Sequence, residues 1–250
     1  MQPNDPNRMQ GGENAFPQPN TLSGGVTVGV QSAPREGFLT ASFVWMFVGL
    51  LISAIAAGFV MSSPDLMMRV GEAWIVLIIV ELVLVIALTA AIAKLPAMVA
   101  LGMFFVYALL NGLTLGVIVW MYVGTGNVSG VVSAFLGAAA IFAGAALYGA
   151  VTKRDLTSLG GIIFMGLIGL IVMSFVQLFF FSQSDTLNLV IGIVGVLLFT
   201  VITAYDVQRI QRGEMRGIGK ESASVMGALA LYLDFINLFL MLLRIFGNNR

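Results

Sequence analysis

From Gly37 to the C-terminus the chain is a succession of apolar runs separated by short polar breaks. Each run is close to the roughly 20 residues that a helix needs to cross about 30 Å of hydrocarbon. A backbone that enters a bilayer finds no water to satisfy its amides, and runs of this length, without alternation, satisfy them only as helices. Seven spans are predicted: Phe38 to Met61, Ala73 to Ala93, Ala97 to Tyr122, Val128 to Val151, Leu159 to Phe181, Leu187 to Val207, and Val225 to Phe246. The fold class is therefore all-α, a polytopic membrane protein with seven transmembrane helices. The seventh run contains Asp234, Asn237 and Arg244, which leaves two readings open for it, a full span or a re-entrant segment.

Composition narrows the chemistry. With 59% hydrophobic and 10% charged residues, the chain lies far outside the range of soluble domains. Its twelve basic and twelve acidic residues cancel, so no net field recruits nucleic acid. The sequence has no Cys and no His, which removes disulfides, thiolate or imidazole metal sites, and Cys-His or Ser-His nucleophiles. No catalytic residues and no cofactor are expected; what remains is carboxylates, hydroxyls, amides and backbone. Residues 1–36 are rich in Pro, Gly, Asn and Gln and lack an apolar run of signal-peptide length, so they read as a disordered tail ahead of a membrane domain over 37–250.

Basic residues set the expected orientation. With the N-terminus in the cytoplasm, Arg8, Arg35, Lys94, Lys153, Arg154, Arg209, Arg212, Arg216 and Lys220 fall inside and Arg69 outside, leaving Arg244 and Arg250 with the last segment. That asymmetry follows the positive-inside rule. Small residues recur along the spans, including Gly112, Gly116, Gly137, Gly144 and Gly149, and are read as close helix contacts within one bundle rather than as a dimer interface.

Glu81, Asp206 and Asp234 lie inside apolar segments, where an ionised side chain costs on the order of 3 kcal/mol or more. Lys220 is the midpoint between positions 206 and 234. An antiparallel hairpin of the last two helices thus predicts both aspartates at equal depth, roughly 12 to 16 Å from the loop apex, and in contact. Two carboxylates held together away from water share one proton and titrate in two separated steps. Ionising both creates repulsion and a demand for a cation or water, so the pair reads as a proton-sensitive latch. Oxygen donors without sulfur or imidazole suit Ca²⁺, which makes Asp206 and Asp234 candidates for a transient Ca²⁺ contact and Glu81 a candidate pore-lining acid on the same path. The alternative is that each acid is simply hydrogen-bonded to neighbours such as Tyr205, Tyr232 or Asn237.

The motif "TAYDVQRI", followed by "GALALYLDFINLFLMLLRIFG", resembles the paired signature of the Bax inhibitor family of membrane proteins, and "LYGAVTKRDLTSLG" resembles its bacterial members. The likeness runs from about Gly37 to the C-terminus. It implies a seven-helix fold with the last helix central and a pH-sensitive calcium leak of the cell (inner) membrane, whose opening is governed by the aspartate pair, here Asp206 and Asp234. Bacterial relatives are also linked to stress response and to restraint of a membrane-bound quality-control protease, so a non-conducting regulator that binds such a partner is the alternative function. Lipid, protons and calcium ions are the other expected partners. Some relatives carry a basic residue in the second helix that latches onto the aspartates. Here the basic residue near that helix is Lys94, thirteen positions after Glu81 and roughly 20 Å along a helix, which places it at the cytoplasmic boundary. Two membrane aspartates also suggest an intramembrane aspartyl protease, but "LYLD" stands where such enzymes carry "GxGD", and its bulky residues would crowd a substrate strand.

Overall fold

The computed structural model describes residues 37–180, 184–214 and 220–247. The expected tail over 1–36, together with Arg8, Arg35, Arg216 and Arg250, lies outside the described residues. Among the described residues eight α-helices follow one another: α1 (Phe38–Met61), α2 (Pro64–Glu72), α3 (Trp74–Ala91), α4 (Ala97–Gly124), α5 (Val128–Val151), α6 (Gly160–Phe180), α7 (Asp185–Gln211) and α8 (Lys220–Gly247). All but α2 are long and apolar enough to cross a membrane, and the described residues contain no strand. The protein is a polytopic helical membrane protein.

The span boundaries follow local chemistry. Asn127 accepts a hydrogen bond from the Gly130 amide at 2.9 Å to open α5, and Ser184 accepts one from Leu187 at 3.3 Å to open α7. Gly213, at φ 63°, ends α7 in the left-handed conformation that favours glycine. The short helix α2 was not among the predicted elements, yet its signals are local: Ser63 as cap, Pro64 at the first position, Asp65 in the first turn and Arg69 in the last. It buries Met67 against Val60 and Val117.

The core is organised around the last helix. In its apolar stretch 72% of α8 is buried, against 44% for α4 and 6% for the α6 region, so α8 is the central helix and α6 a peripheral one. It packs on α1, α4, α5 and α7, whereas α3 packs chiefly on α4 and α6 chiefly on α7. As one unbroken helix of 28 residues, α8 has the length of a span and none of the breaks that a re-entrant segment requires. Close approach at the small residues is intramolecular: a Cβ on Gly112 would meet the backbone of Ser53, one on Gly116 the backbone of Ala57, and one on Gly149 the carbonyl of Ala204. Gly144, by contrast, faces open space.

Candidate functional site

Asp206 lies near the C-terminal end of α7 and Asp234 in the middle of α8, and the contact between these two helices brings them together. Asp206 lies within electrostatic reach of Asp234. Their depth differs from the equal-depth expectation. A Cβ on Gly195 would meet Met241, and one on Gly227 would meet Ile210, which sets the helix register. Carried along the hairpin, that register places Asp206 opposite Ala230 and Leu231, so Asp234 sits roughly one helical turn, about 5 Å, deeper. The expectation failed because it assumed a symmetric loop around Lys220, whereas Lys220 already belongs to α8.

The offset gives the two carboxylates different surroundings. Asp206 keeps 18% of its side chain exposed and pairs with Arg209 one turn along the same helix, at 3.7 Å. The Arg209 guanidinium also lies 5.3 Å from the centroid of the Tyr205 ring. Asp234 is only 4% exposed, and among the described residues its Oδ2 has no hydrogen-bond partner. The basic partner of the pair therefore comes from α7 itself, while Lys94 is exposed in the turn after α3. Arg209 was legible in "YDVQR", because i and i+3 share a helix face.

Glu81 is not part of this pair. Its two oxygens accept hydrogen bonds from α4, Oε1 from Thr114 at 2.5 Å and Oε2 from Asn111 at 3.1 Å. Asn111 Oδ1 in turn accepts from the Tyr232 hydroxyl at 3.0 Å, and that hydroxyl lies 2.7 Å from Ser53 Oγ, which donates to the carbonyl of Ala108. A polar chain thus links α3, α4, α8 and α1. Tyr232 and Asp234 are two residues apart on α8, about 200° around the helix, so the central helix carries the Glu81 chain on one side and the aspartates on another. In α3, which is apolar nearly all round, Glu81 and Leu88 are the buried residues and define the face that seats on α4. The same signal that singled out Glu81, a polar residue inside a span, was available for Asn111 and Thr114.

The end of α7 is fixed to the loop before α6. Gln208, 2% exposed, accepts from the Leu156 amide and donates to the Arg154 carbonyl, both at 2.8 Å. Arg212 donates to Asp155 Oδ1 at 2.8 Å. The motifs around "VTKRDLT" and "YDVQRIQR" therefore form one structural unit, with the second positioning Asp206.

Comparison with known proteins places the whole helical region in one family. The family model described as "Inhibitor of apoptosis-promoting Bax1" covers residues 35–250. The chain belongs to the Bax inhibitor family. Inner membrane protein YbhL of Escherichia coli (strain K12) is 41% identical over 228 residues, covering 87% of this chain and 95% of that relative. An uncharacterized protein of Deinococcus radiodurans is 38% identical over 216 residues, covering 85% and 90%, and one of Borreliella burgdorferi is 37% identical over 223 residues, covering 86% and 94%. Membership in the Bax inhibitor family thus extends across every described helix of the bundle.

Proposed function

We propose that the protein is a proton-gated leak for Ca²⁺ in a bacterial inner membrane, with Asp206 and Asp234 as the sensor and gate. The observation that carries this reading is the Asp234 carboxylate, buried on the central helix with a bare Oδ2 and a second carboxylate beside it. An ionised Asp234 in that setting would be desolvated, unpaired and repelled, so ionisation and the packed arrangement compete. A proton on the pair favours the packing of α7 against α8; its loss favours parting of the helices and entry of water or a cation.

Two carboxylates suit a passing contact with a hard cation rather than a resident ion, since Ca²⁺ held in place takes six to eight oxygens. Among the described residues no group of three or more acids is gathered. Beyond Asp234, α8 buries Phe235, Leu238, Phe239 and Leu242 in the core, an apolar stretch that a permeating ion must displace or bypass. The N-terminus is assigned to the cytoplasm from the distribution of basic residues, and the inner membrane from the name of the E. coli relative.

The test is calcium flux in vesicles containing purified protein, read across pH. A flux that varies with pH in the wild type and is insensitive to pH in Asp206→Asn with Asp234→Asn supports the gate. Vesicles that stay calcium-tight across the acidic to neutral range, with folded, inserted protein, assign it instead to the regulators that act by binding a membrane partner.

A further inference from the structure

At the end of the bundle opposite the Asp155 loop, two cavities meet at Arg244. One, of about 1010 Å³, is lined by the ends of α4, α5 and α8, including Met121, Tyr122 and Asn127. The other, of about 640 Å³, lies between Trp74 and Ile78 of α3, Phe175 and Gln177 of α6, and Asn188 of α7. Trp74, Tyr122 and Arg244 line both.

Arg244 is half-buried and carries five N–H donors, of which one is used among the described residues: Nη1 donates to Gln177 Oε1 at 3.1 Å. Among the described residues no carboxylate pairs with it, although Arg209 has one such partner and Arg212 has two. A guanidinium at this depth, open to a cavity on two sides, asks for an anion with planar or tetrahedral oxygens. The space is far larger than a bare anion fills and lies in the range of whole organic ligands. Its walls are largely apolar.

Position chooses among such ligands. Trp74 and Tyr122 stand beside Arg244, and Trp and Tyr mark the headgroup level of a bilayer. Ile78 and Phe175 flank the second cavity and are 41% and 56% exposed, and the helices that carry them pack on α4 and α7 rather than chiefly on each other. The cleft between α3 and α6 is therefore open sideways, at the level where acyl chains begin.

We propose that this double cavity is a binding site for an anionic phospholipid, with its phosphate on Arg244 and Gln177 and an acyl chain leaving between Ile78 and Phe175. The site is distinct from the aspartate gate and stands whether or not the protein conducts. Lipid bound here bridges α3 and α6, the two most exposed spans, to the central helix.

The test uses full-length protein in a neutral detergent, titrated with short-chain phosphatidylglycerol, short-chain phosphatidylcholine and inorganic phosphate, with the thermal midpoint as readout. Phosphatidylglycerol is expected to raise the midpoint saturably, phosphatidylcholine and phosphate to do so at least tenfold less potently, and Arg244→Gln to weaken the phosphatidylglycerol effect at least tenfold. Arg69→Gln, an exposed site on α2, should leave it unchanged. Should Arg244→Gln fold poorly, Ser174→Trp fills the α6 wall of the cleft with the guanidinium intact and is expected to weaken binding to a similar degree. Equal responses to the two lipids, or an undiminished response in both variants, would overturn the site as nonspecific lipid contact. A response to inorganic phosphate as strong as to phosphatidylglycerol would overturn it in favour of a free-anion site.

Discussion

Asp206 and Asp234 lie within electrostatic reach of each other across the α7 and α8 contact, at depths that differ by about one helical turn, the shallower one paired with Arg209 and the deeper one leaving Oδ2, among the described residues, without a hydrogen-bond partner. The pair is thus asymmetric in exposure and in partners. In the proposed gate the two carboxylates act as one unit, so their variants should not add. Asp206→Asn and Asp234→Asn are each expected to remove most of the pH dependence of calcium flux, and the double change to do little more than either alone. Additive displacement of the flux profile by the two changes would mean that the residues titrate independently.

The glycines offer a test of the packing that holds this pair in register. A Cβ at Gly149 collides with the backbone carbonyl of Ala204, two residues before Asp206, and backbone cannot swing aside as a side chain can. Gly149→Ala should cost about 1–3 kcal/mol through forced separation of α5 and α7. Gly144→Ala, on the same helix but facing open space, should be neutral or slightly stabilising. Thermal midpoints of the two variants in detergent check the contrast, and equal losses would argue against the described contact.

That contrast also marks the limit of what the sequence discloses. Gly144 and Gly149 look alike in the one-letter text, and only the packing of α5 on α7 separates them. The spans were legible because bilayer thickness imposes a length on apolar runs, and the approximate bounds expected for the first and fourth spans coincide with α1 and α5. That Asp206 and Asp234 come within electrostatic reach of each other was legible from antiparallel connectivity, but their offset was not, since it depends on which residues of the α7 to α8 connection become helical. Glu81 was recognisable as a buried acid, whereas its partners on α4 depend on the rotation of α3, which an almost wholly apolar helix does not encode by periodicity. Arg209 and α2 were readable from local spacing and capping residues alone.

Gln208 links that local text to the site. It satisfies both the buried Leu156 amide and the part-buried Arg154 carbonyl, and a buried amide left without a partner costs about 1–3 kcal/mol. Gln208→Ala is expected to lower the thermal midpoint clearly, with Gln208→Glu also destabilising because a carboxylate cannot donate to the Arg154 carbonyl. A midpoint unchanged in both variants would mean that the loop before α6 does not anchor the end of α7.

The same loop carries a pH dependence of its own. The hydroxyl and amide of Thr157, and then Arg212, hold the Asp155 carboxylate below its ordinary value of 3.8. A carboxylate depressed in the folded protein stabilises it fully above the ordinary value and loses that contribution as pH falls through the depressed one. The loop should therefore be insensitive to pH from neutral down to about the ordinary carboxylate range and loosen only in stronger acid. At neutral pH, Asp155→Asn removes the charge that Arg212 pairs with, and trypsin should cleave faster after Lys153 and Arg154. Cleavage at the wild-type rate would show that Asp155 does not order the segment.

Glu81 can be tested through the direction of its hydrogen-bond chain. As a carboxylate it accepts from both Thr114 and Asn111, and Asn111 then accepts from Tyr232. In Glu81→Gln one oxygen becomes an NH₂, which can donate to Asn111 if that amide turns over; Asn111 then donates to the Tyr232 oxygen, and the tyrosine donates to Ser53, 2.7 Å away. Every group stays satisfied, so Glu81→Gln should change the thermal midpoint little. Glu81→Leu leaves the Asn111 amide without its acceptor and Thr114 with only the longer bond to the Leu110 carbonyl at 3.4 Å, and should cost about 1–3 kcal/mol; Tyr232→Phe, which severs the chain at α8, should cost a similar amount. Since Glu81 stands apart from the aspartate pair, neither Gln nor Leu at position 81 is expected to displace the pH at which calcium flux changes. A large displacement by Glu81→Gln would place this acid in the gate and not in the seat of α3 on α4.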